Sequence, residues 1–127
     1  MLPDSLANKS SLGKLKKYSS QSFEELIRGE TYSFGGILGS KFNYKAVPSP
    51  NNKSPGNGSY YNGGSITQMY TLINNFPNFK MAGFQMELPK VLRFGTNDYL
   101  TTVGKNLASC IYEYYWINSF NAKFSIN

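Results

Sequence analysis

The clearest pattern of hydrophobic and polar positions lies in the last third of the chain. Apolar residues recur there at helical spacing, at Leu100, Val103, Leu107, Ile111 and Tyr114. The polar triplet Thr-Asn-Asp at 96–98 precedes them, and its side-chain oxygens can accept hydrogen bonds from the free amides of a first helical turn. The pattern therefore predicts a helix from Asn97 through about Phe120.

Two further helical segments are predicted by their end signals. Ser22 followed by Glu25 is a capping box, and Gly29 supplies a stop, so a helix is expected over Phe23–Arg28. The stretch SFGGILGSKF that follows predicts a brief helical turn ending near Gly39.

The run KMAGFQMEL is short, apolar and bounded by a Pro-Asn turn on one side and Pro89 on the other, which favours a strand. Its lack of alternation indicates burial on both faces, as in a parallel sheet. We therefore predict an α/β fold in which a strand Met81–Leu88 lies inside a sheet and the helix after Asn97 packs across it.

Other segments have weaker patterns. Residues 1–21 are polar and rich in Ser and Lys, and are predicted to be a loosely ordered lead-in to a domain over 22–127. The Pro, Asn and Gly content of 45–64 predicts a long loop. The segment SITQMYTLI is left open between strand and helix, because its β-branched residues favour one and its Met and Leu residues the other.

Glu87 raises a chemical question within the predicted strand, since it is the only acidic residue between Glu30 and Asp98. An ionised carboxylate taken out of water needs a partner or a metal. It is therefore either a site residue or a structural carboxylate that pairs with a buried arginine or caps a loop.

Composition limits the function classes. The chain has 127 residues, a net charge of +6 and a pI near 9.4, which fit one basic domain. The Lys14, Lys16 and Lys17 cluster favours a solvated face, and nucleic-acid binding is not favoured. No apolar run reaches the ~20 residues of a membrane span, so a soluble chain is expected, with a cytoplasmic location favoured.

The chemistry-bearing side chains are few. The chain has no His and a single Cys, Cys110, which falls in an apolar helical pattern and is expected to be a buried thiol. Neither a zinc site nor a His-dependent catalytic arrangement is expected from this chain alone, because the usual ligands and proton carrier are missing.

Several segments, taken in order, resemble the C-terminal half of N-formylglutamate amidohydrolase-like proteins. They are LIRGETYSFGGILGSKFNYKAVPSP, SPGNGSYYNGGSIT, AGFQMELPKVLR and the closing helix. That family has an Arg-Gly step, an Ala-Val-Pro-Ser-Pro loop, a Tyr-x-x-Gly-Gly-Tyr segment and a Gln-x-Glu-Leu strand followed by Leu-Arg. The resemblance covers roughly residues 22–118.

The resemblance implies a zinc-dependent amidohydrolase with a zinc-carboxypeptidase-like sheet flanked by helices, acting on N-acyl amino acids such as N-formylglutamate. Zinc activates a water in such enzymes, and a carboxylate transfers the proton. The match makes Glu87 the candidate for that carboxylate. It assigns substrate binding to Arg93, Arg28, Gly63, Gly64 and Tyr70.

Departures from the family pattern leave two interpretations of the chain's function open. The family's zinc ligands lie in the N-terminal half, which this chain lacks, and Tyr70 stands where members often carry a His. We therefore expect a fragment or degenerate member, inactive alone, with the missing half as a partner. The alternative is a non-catalytic basic module that binds an anionic partner.

Overall fold

The computed structural model describes residues 1–58, 65–76, 78 and 82–120, and within these ranges the regular secondary structure is helical. A 3-10 helix, Asp4–Lys9, comes first. The α-helices are α1 (Gly13–Tyr18), α2 (Phe23–Arg28), α3 (Phe34–Phe42), α4 (Ser65–Thr71), α5 (Lys90–Arg93) and α6 (Asn97–Tyr115), and α6 continues into a π-helical turn, Trp116–Phe120.

The predicted α/β fold is wrong for the part of the chain that the structure describes. No strand or sheet forms in these ranges, so they contain no zinc-carboxypeptidase-like sheet. The predicted strand Met81–Leu88 is, from residue 82 onward, an irregular segment with Phe84 41% and Met86 36% exposed. A strand depends on a hydrogen-bonded neighbour from elsewhere in the chain, and the described residues provide none.

The helices that were predicted from end signals are confirmed. The hydroxyl of Ser22 accepts a hydrogen bond from the Glu25 amide at 3.2 Å and begins α2. The Thr96 hydroxyl accepts one from the Tyr99 amide at 3.2 Å and begins α6. Each cap satisfies an amide that has no partner inside its helix, so the local sequence suffices to start these elements.

Helix α3 is longer than the predicted turn. The Ser33 hydroxyl accepts a hydrogen bond from the Gly36 amide at 2.9 Å and donates one to the Gly29 carbonyl at 2.6 Å. The helix ends at Asn43, whose backbone is left-handed with a φ of 55°. Asparagine tolerates this conformation better than most residues. Among the helices of the described ranges, none has the length and hydropathy needed to span a bilayer.

One core cluster joins α3 to α6. Ile37, Leu38 and Cys110 are buried together, and Cys110 is 0% exposed. The Lys41 ammonium forms an ion pair with Glu113 and donates a 3.2 Å hydrogen bond to the Ser109 hydroxyl, so polar contacts fix the same pair of helices. Packing of these two faces sets the position of α6.

A second core cluster is built by the N-terminal residues. Ala7, Leu12 and Phe23 are buried against one another. The Asp4 carboxylate accepts a 2.7 Å hydrogen bond from the Phe23 amide and pairs with Lys16 at 3.2 Å. The residues predicted as a lead-in thus contribute two short helices and core side chains, while the domain boundary at residue 22 remains a prediction.

Candidate functional site

An open groove of about 1130 Å³ lies between the two core clusters. Its walls come from α2, α3, α4 and α6, from the loop after α3 and from the irregular segment 82–89. Most of its lining side chains are apolar, among them Leu12, Leu26, Ile27, Leu38, Ala46, Val47, Leu72, Leu92 and Leu107. Concave apolar surfaces of this kind are the usual binding sites for small molecules.

The irregular segment forms one wall through an aromatic contact. The Phe84 ring lies 4.9 Å from the Phe34 ring and 5.6 Å, edge to face, from the Tyr114 ring. Beyond it, the Gln85 side-chain amide donates a 2.7 Å hydrogen bond to the Glu87 carboxylate, which is exposed. The predicted burial of both faces of this segment is therefore wrong at Glu87, and its carboxylate lies in reach of water and solutes.

Cations outnumber anions among the described residues that line the groove. They are Lys9, Arg28, Lys45 and Lys53, against Glu87 alone. The Arg28 guanidinium is held in place, since it pairs with Glu24 at 2.9 Å and donates to the Lys53 carbonyl at 3.1 Å. This arrangement favours a ligand that carries negative charge.

Tyr114 lines the groove and has a buried, unsatisfied hydroxyl. The hydroxyl oxygen is buried and has no hydrogen-bond partner within the described part of the chain. Burial raises the pKa of Tyr114 to about 12. The group therefore keeps its proton at neutral pH and remains a donor without an acceptor.

The structure brings together only some of the predicted site residues. Arg28 and Glu87 both line the groove. Arg93 does not, and its guanidinium lies 5.8 Å from the Phe94 ring centre on the exposed surface. Tyr70 also lies off the groove, stacked on Phe76 at 5.6 Å.

Gly63 and Gly64 fall outside the described residues, so their assignment stays a prediction. The sequence reasoning missed Lys45, Phe84 and Tyr114 as lining residues. Lys45 stands two residues before Val47 in the Ala-Val-Pro-Ser-Pro segment, and Phe84 lies within AGFQMELPKVLR, so proximity to a motif was the available signal for these two. The position of Tyr114 depends on tertiary packing, which no local pattern reports.

The residues present do not fit the zinc ion that the resemblance implies. No group of three or more His, Cys, Asp or Glu side chains in the described ranges could hold a metal ion. Cys110 is buried, and burial raises the pKa of its thiol, which works against the thiolate that zinc binds. No catalytic step of this chain can therefore be derived through a metal.

No family model, curated protein or solved structure matches this chain.

Proposed function

We propose that the chain is a non-hydrolysing part or degenerate member of a zinc-dependent amidohydrolase of the N-formylglutamate amidohydrolase-like type, and that its groove binds N-acyl amino acids. One observation carries the proposal. Arg28 and Glu87, which the resemblance picks out in segments far apart in the sequence, line the same groove. Val47 and Pro48, from the Ala-Val-Pro-Ser-Pro segment, line it as well.

The groove supplies the two kinds of contact that an N-acyl amino acid needs. Its rim cations, Lys9, Lys45 and Lys53, are exposed and can attract the ligand carboxylates. Its apolar lining can cover the acyl group. Glu87 could exchange protons with a bound ligand or water, but hydrolysis is not assigned to this chain because its residues do not fit the metal.

Titration calorimetry with N-formylglutamate tests the proposal. We expect saturable binding, and we expect Lys45→Gln to weaken it by roughly fivefold, the effect of losing one exposed charge near a carboxylate. Lys105→Gln is the matched control, because Lys105 is an exposed lysine of α6 that does not line the groove. Absence of binding by N-acylglutamates of every chain length, from N-formylglutamate to N-decanoylglutamate, would refute the proposal.

The same cations keep one alternative open, a basic module for an anionic polymer, which the net charge of +6 also favours. Binding to such a polymer depends strongly on salt, because each neutralised phosphate releases counterions. A steep loss of affinity for a double-stranded oligonucleotide between 50 and 200 mM salt, roughly a thousandfold or more for six or more phosphate contacts, together with no binding of N-formylglutamate, would select this alternative.

A further inference from the structure

The apolar interior of the described part of the chain is divided between two clusters. One cluster is formed by Ala7, Leu12 and Phe23, and the other by Ile37, Leu38 and Cys110. Leu12 and Leu38 line the groove from opposite clusters, although each is only 7% exposed. The groove thus separates two apolar surfaces that would be stabilised by an apolar filling.

The groove is large for the small amides that the resemblance implies. Pockets that enclose drug-sized ligands have volumes of roughly 300–1,000 Å³. This groove has a volume of about 1130 Å³. A formyl amino acid would leave the exposed apolar side chains of the lining, among them Val47, Phe84 and Met86, in contact with water, which is unfavourable.

Three of the groove's cations lie at exposed positions, whereas Arg28 is half-buried and paired with Glu24. Lys9, Lys45 and Lys53 are exposed, whereas Leu26, Leu38 and Leu12 are buried. A complementary ligand therefore has an anionic head for the rim and an apolar chain for the interior. A chain without a head would gain nothing from the positive charge of the rim, and a head without a chain would leave the exposed apolar lining side chains Val47, Phe84 and Met86 in water.

We infer that the groove binds N-acyl amino acids whose acyl group is a long hydrocarbon chain, with the chain between the two core clusters and the carboxylate at the lysine rim. The inference rests on the proposed function and adds the class of acyl group to it. A bound chain would connect the two clusters and stabilise the fold as well as the complex.

The experiment compares N-decanoylglutamate with N-formylglutamate, which have the same head and differ only in the acyl chain. Calorimetry should show N-decanoylglutamate binding at least ~100-fold more tightly, because each buried methylene adds favourable transfer free energy. Thermal unfolding should shift to higher temperature with N-decanoylglutamate at concentrations where N-formylglutamate gives no shift. Light scattering confirms that the probe is below its aggregation concentration.

A steric variant separates binding in the groove from adsorption to the surface. Ala46 lines the groove and packs on the α3–α6 cluster, so Ala46→Phe should fill part of the space and weaken N-decanoylglutamate binding tenfold or more. Ala108→Phe is the control, since Ala108 is exposed on α6 and does not line the groove. Circular dichroism establishes that both variants fold, and Ala46→Leu replaces Ala46→Phe if the latter does not.

The outcomes distinguish the inference from the proposed function. Equal affinity for the two acyl glutamates overturns the inference and leaves the proposed function standing. Tight N-decanoylglutamate binding that Ala46→Phe and Ala108→Phe weaken equally also overturns the inference. Failure of both ligands to bind overturns the proposed function and the inference with it.

Discussion

The ammonium of Lys14 donates a 3.0 Å hydrogen bond to the main-chain carbonyl of Tyr70. It donates a second, also at 3.0 Å, to the carbonyl of Phe76. Lys14 is only 3% exposed, so this cation of α1 is buried against the chain at the end of α4. Lys14 thus connects the N-terminal helices to α4. Its hydrogen bond holds Tyr70 through the main-chain carbonyl and not through the ring.

Lys14→Met should therefore destabilise the protein. The substitution keeps the length of the side chain but leaves two carbonyl groups without their donor, which costs about 1–3 kcal/mol when they stay buried. The free energy of unfolding in urea measures the loss. Lys17→Met, at an exposed position of the same helix, should change stability by less than about 0.5 kcal/mol. Equal losses in the two variants would contradict the role given to Lys14.

The burial of Lys14 also shows what sequence patterns leave out. Lys14, Lys16 and Lys17 form one cationic cluster in the sequence, and a solvated face was the favoured interpretation. Lys17 is exposed, but Lys14 faces α4. Carbonyl groups from 56 and 62 residues away make its burial possible, and a pattern read over neighbouring residues does not contain them.

The same distinction explains which elements were predicted correctly. Helices α2 and α6 begin at Ser22 and Thr96, whose hydroxyls bond amides three residues away, so local sequence determines them. The strand Met81–Leu88 required a neighbouring strand, and the apolar run alone does not supply one. From Phe84 to Leu88 the run in fact alternates apolar and polar residues, a pattern of one covered face that the α/β prediction overlooked.

The sequence predicted residues of the candidate site only within the segments that resemble the family. The resemblance picked out Arg28 and Glu87, which do line one groove, and also Arg93 and Tyr70, which do not. Arg93 follows the groove-lining Leu92 directly, yet its side chain does not line the groove and its guanidinium lies 5.8 Å from the Phe94 ring centre. Side-chain direction at the end of a short helix depends on packing and not on motif order.

Tyr114→Phe should leave the free energy of unfolding unchanged or raise it. The Tyr114 hydroxyl is buried without a partner in the described part of the chain, so removing it removes a desolvation cost and no hydrogen bond. Tyr44→Phe is the matched control, because its hydroxyl accepts a 3.0 Å hydrogen bond from the Asn106 amide. Tyr44→Phe should cost about 1 kcal/mol. Chemical denaturation of both variants decides, and a clear loss in Tyr114→Phe alone would reveal a partner for its hydroxyl.

Alkaline pH should destabilise the wild-type chain through the same tyrosine. An unfolded tyrosine ionises near pH 10, whereas burial raises the pKa of Tyr114 to about 12 in the folded protein. Between these values the folded state binds more protons than the unfolded state, so stability falls as pH rises above about 10. The difference in unfolding free energy between wild type and Tyr114→Phe should therefore be constant below pH 9 and change in favour of the variant at pH 11. A difference that is independent of pH would show that the hydroxyl is not buried.

Acid should weaken the N-terminal cluster. The Phe23 amide and Lys16 hold the pKa of Asp4 below its usual value, so the unfolded state takes up protons first as pH falls. The stability that this carboxylate contributes is present above the unfolded pKa of about 3.9 and is lost as pH falls through the lower folded value. Asp4→Asn should flatten the stability profile between pH 5 and 3, whereas Glu30→Gln, at an exposed position, should not. Parallel profiles for Asp4→Asn and wild type would contradict this.

Glu87→Gln tests whether the groove carboxylate belongs to a site or to the framework. Glu87 is exposed and accepts a hydrogen bond from the neighbouring Gln85, so its neutralisation should change the free energy of unfolding by less than about 0.5 kcal/mol.

Glu87→Gln should also change ligand binding. Glu87 is the one anion among the described charged residues that line the groove, and it repels the carboxylates of an acyl glutamate. Removing one such charge should therefore strengthen N-decanoylglutamate binding by roughly fivefold at low salt, and the gain should shrink as salt screens the interaction. Glu30→Gln lowers the negative charge equally at an exposed position that does not line the groove, and should leave the affinity unchanged. Unfolding of Glu87→Gln would identify Glu87 as a structural carboxylate, and an equal gain in both variants would place the ligand away from Glu87.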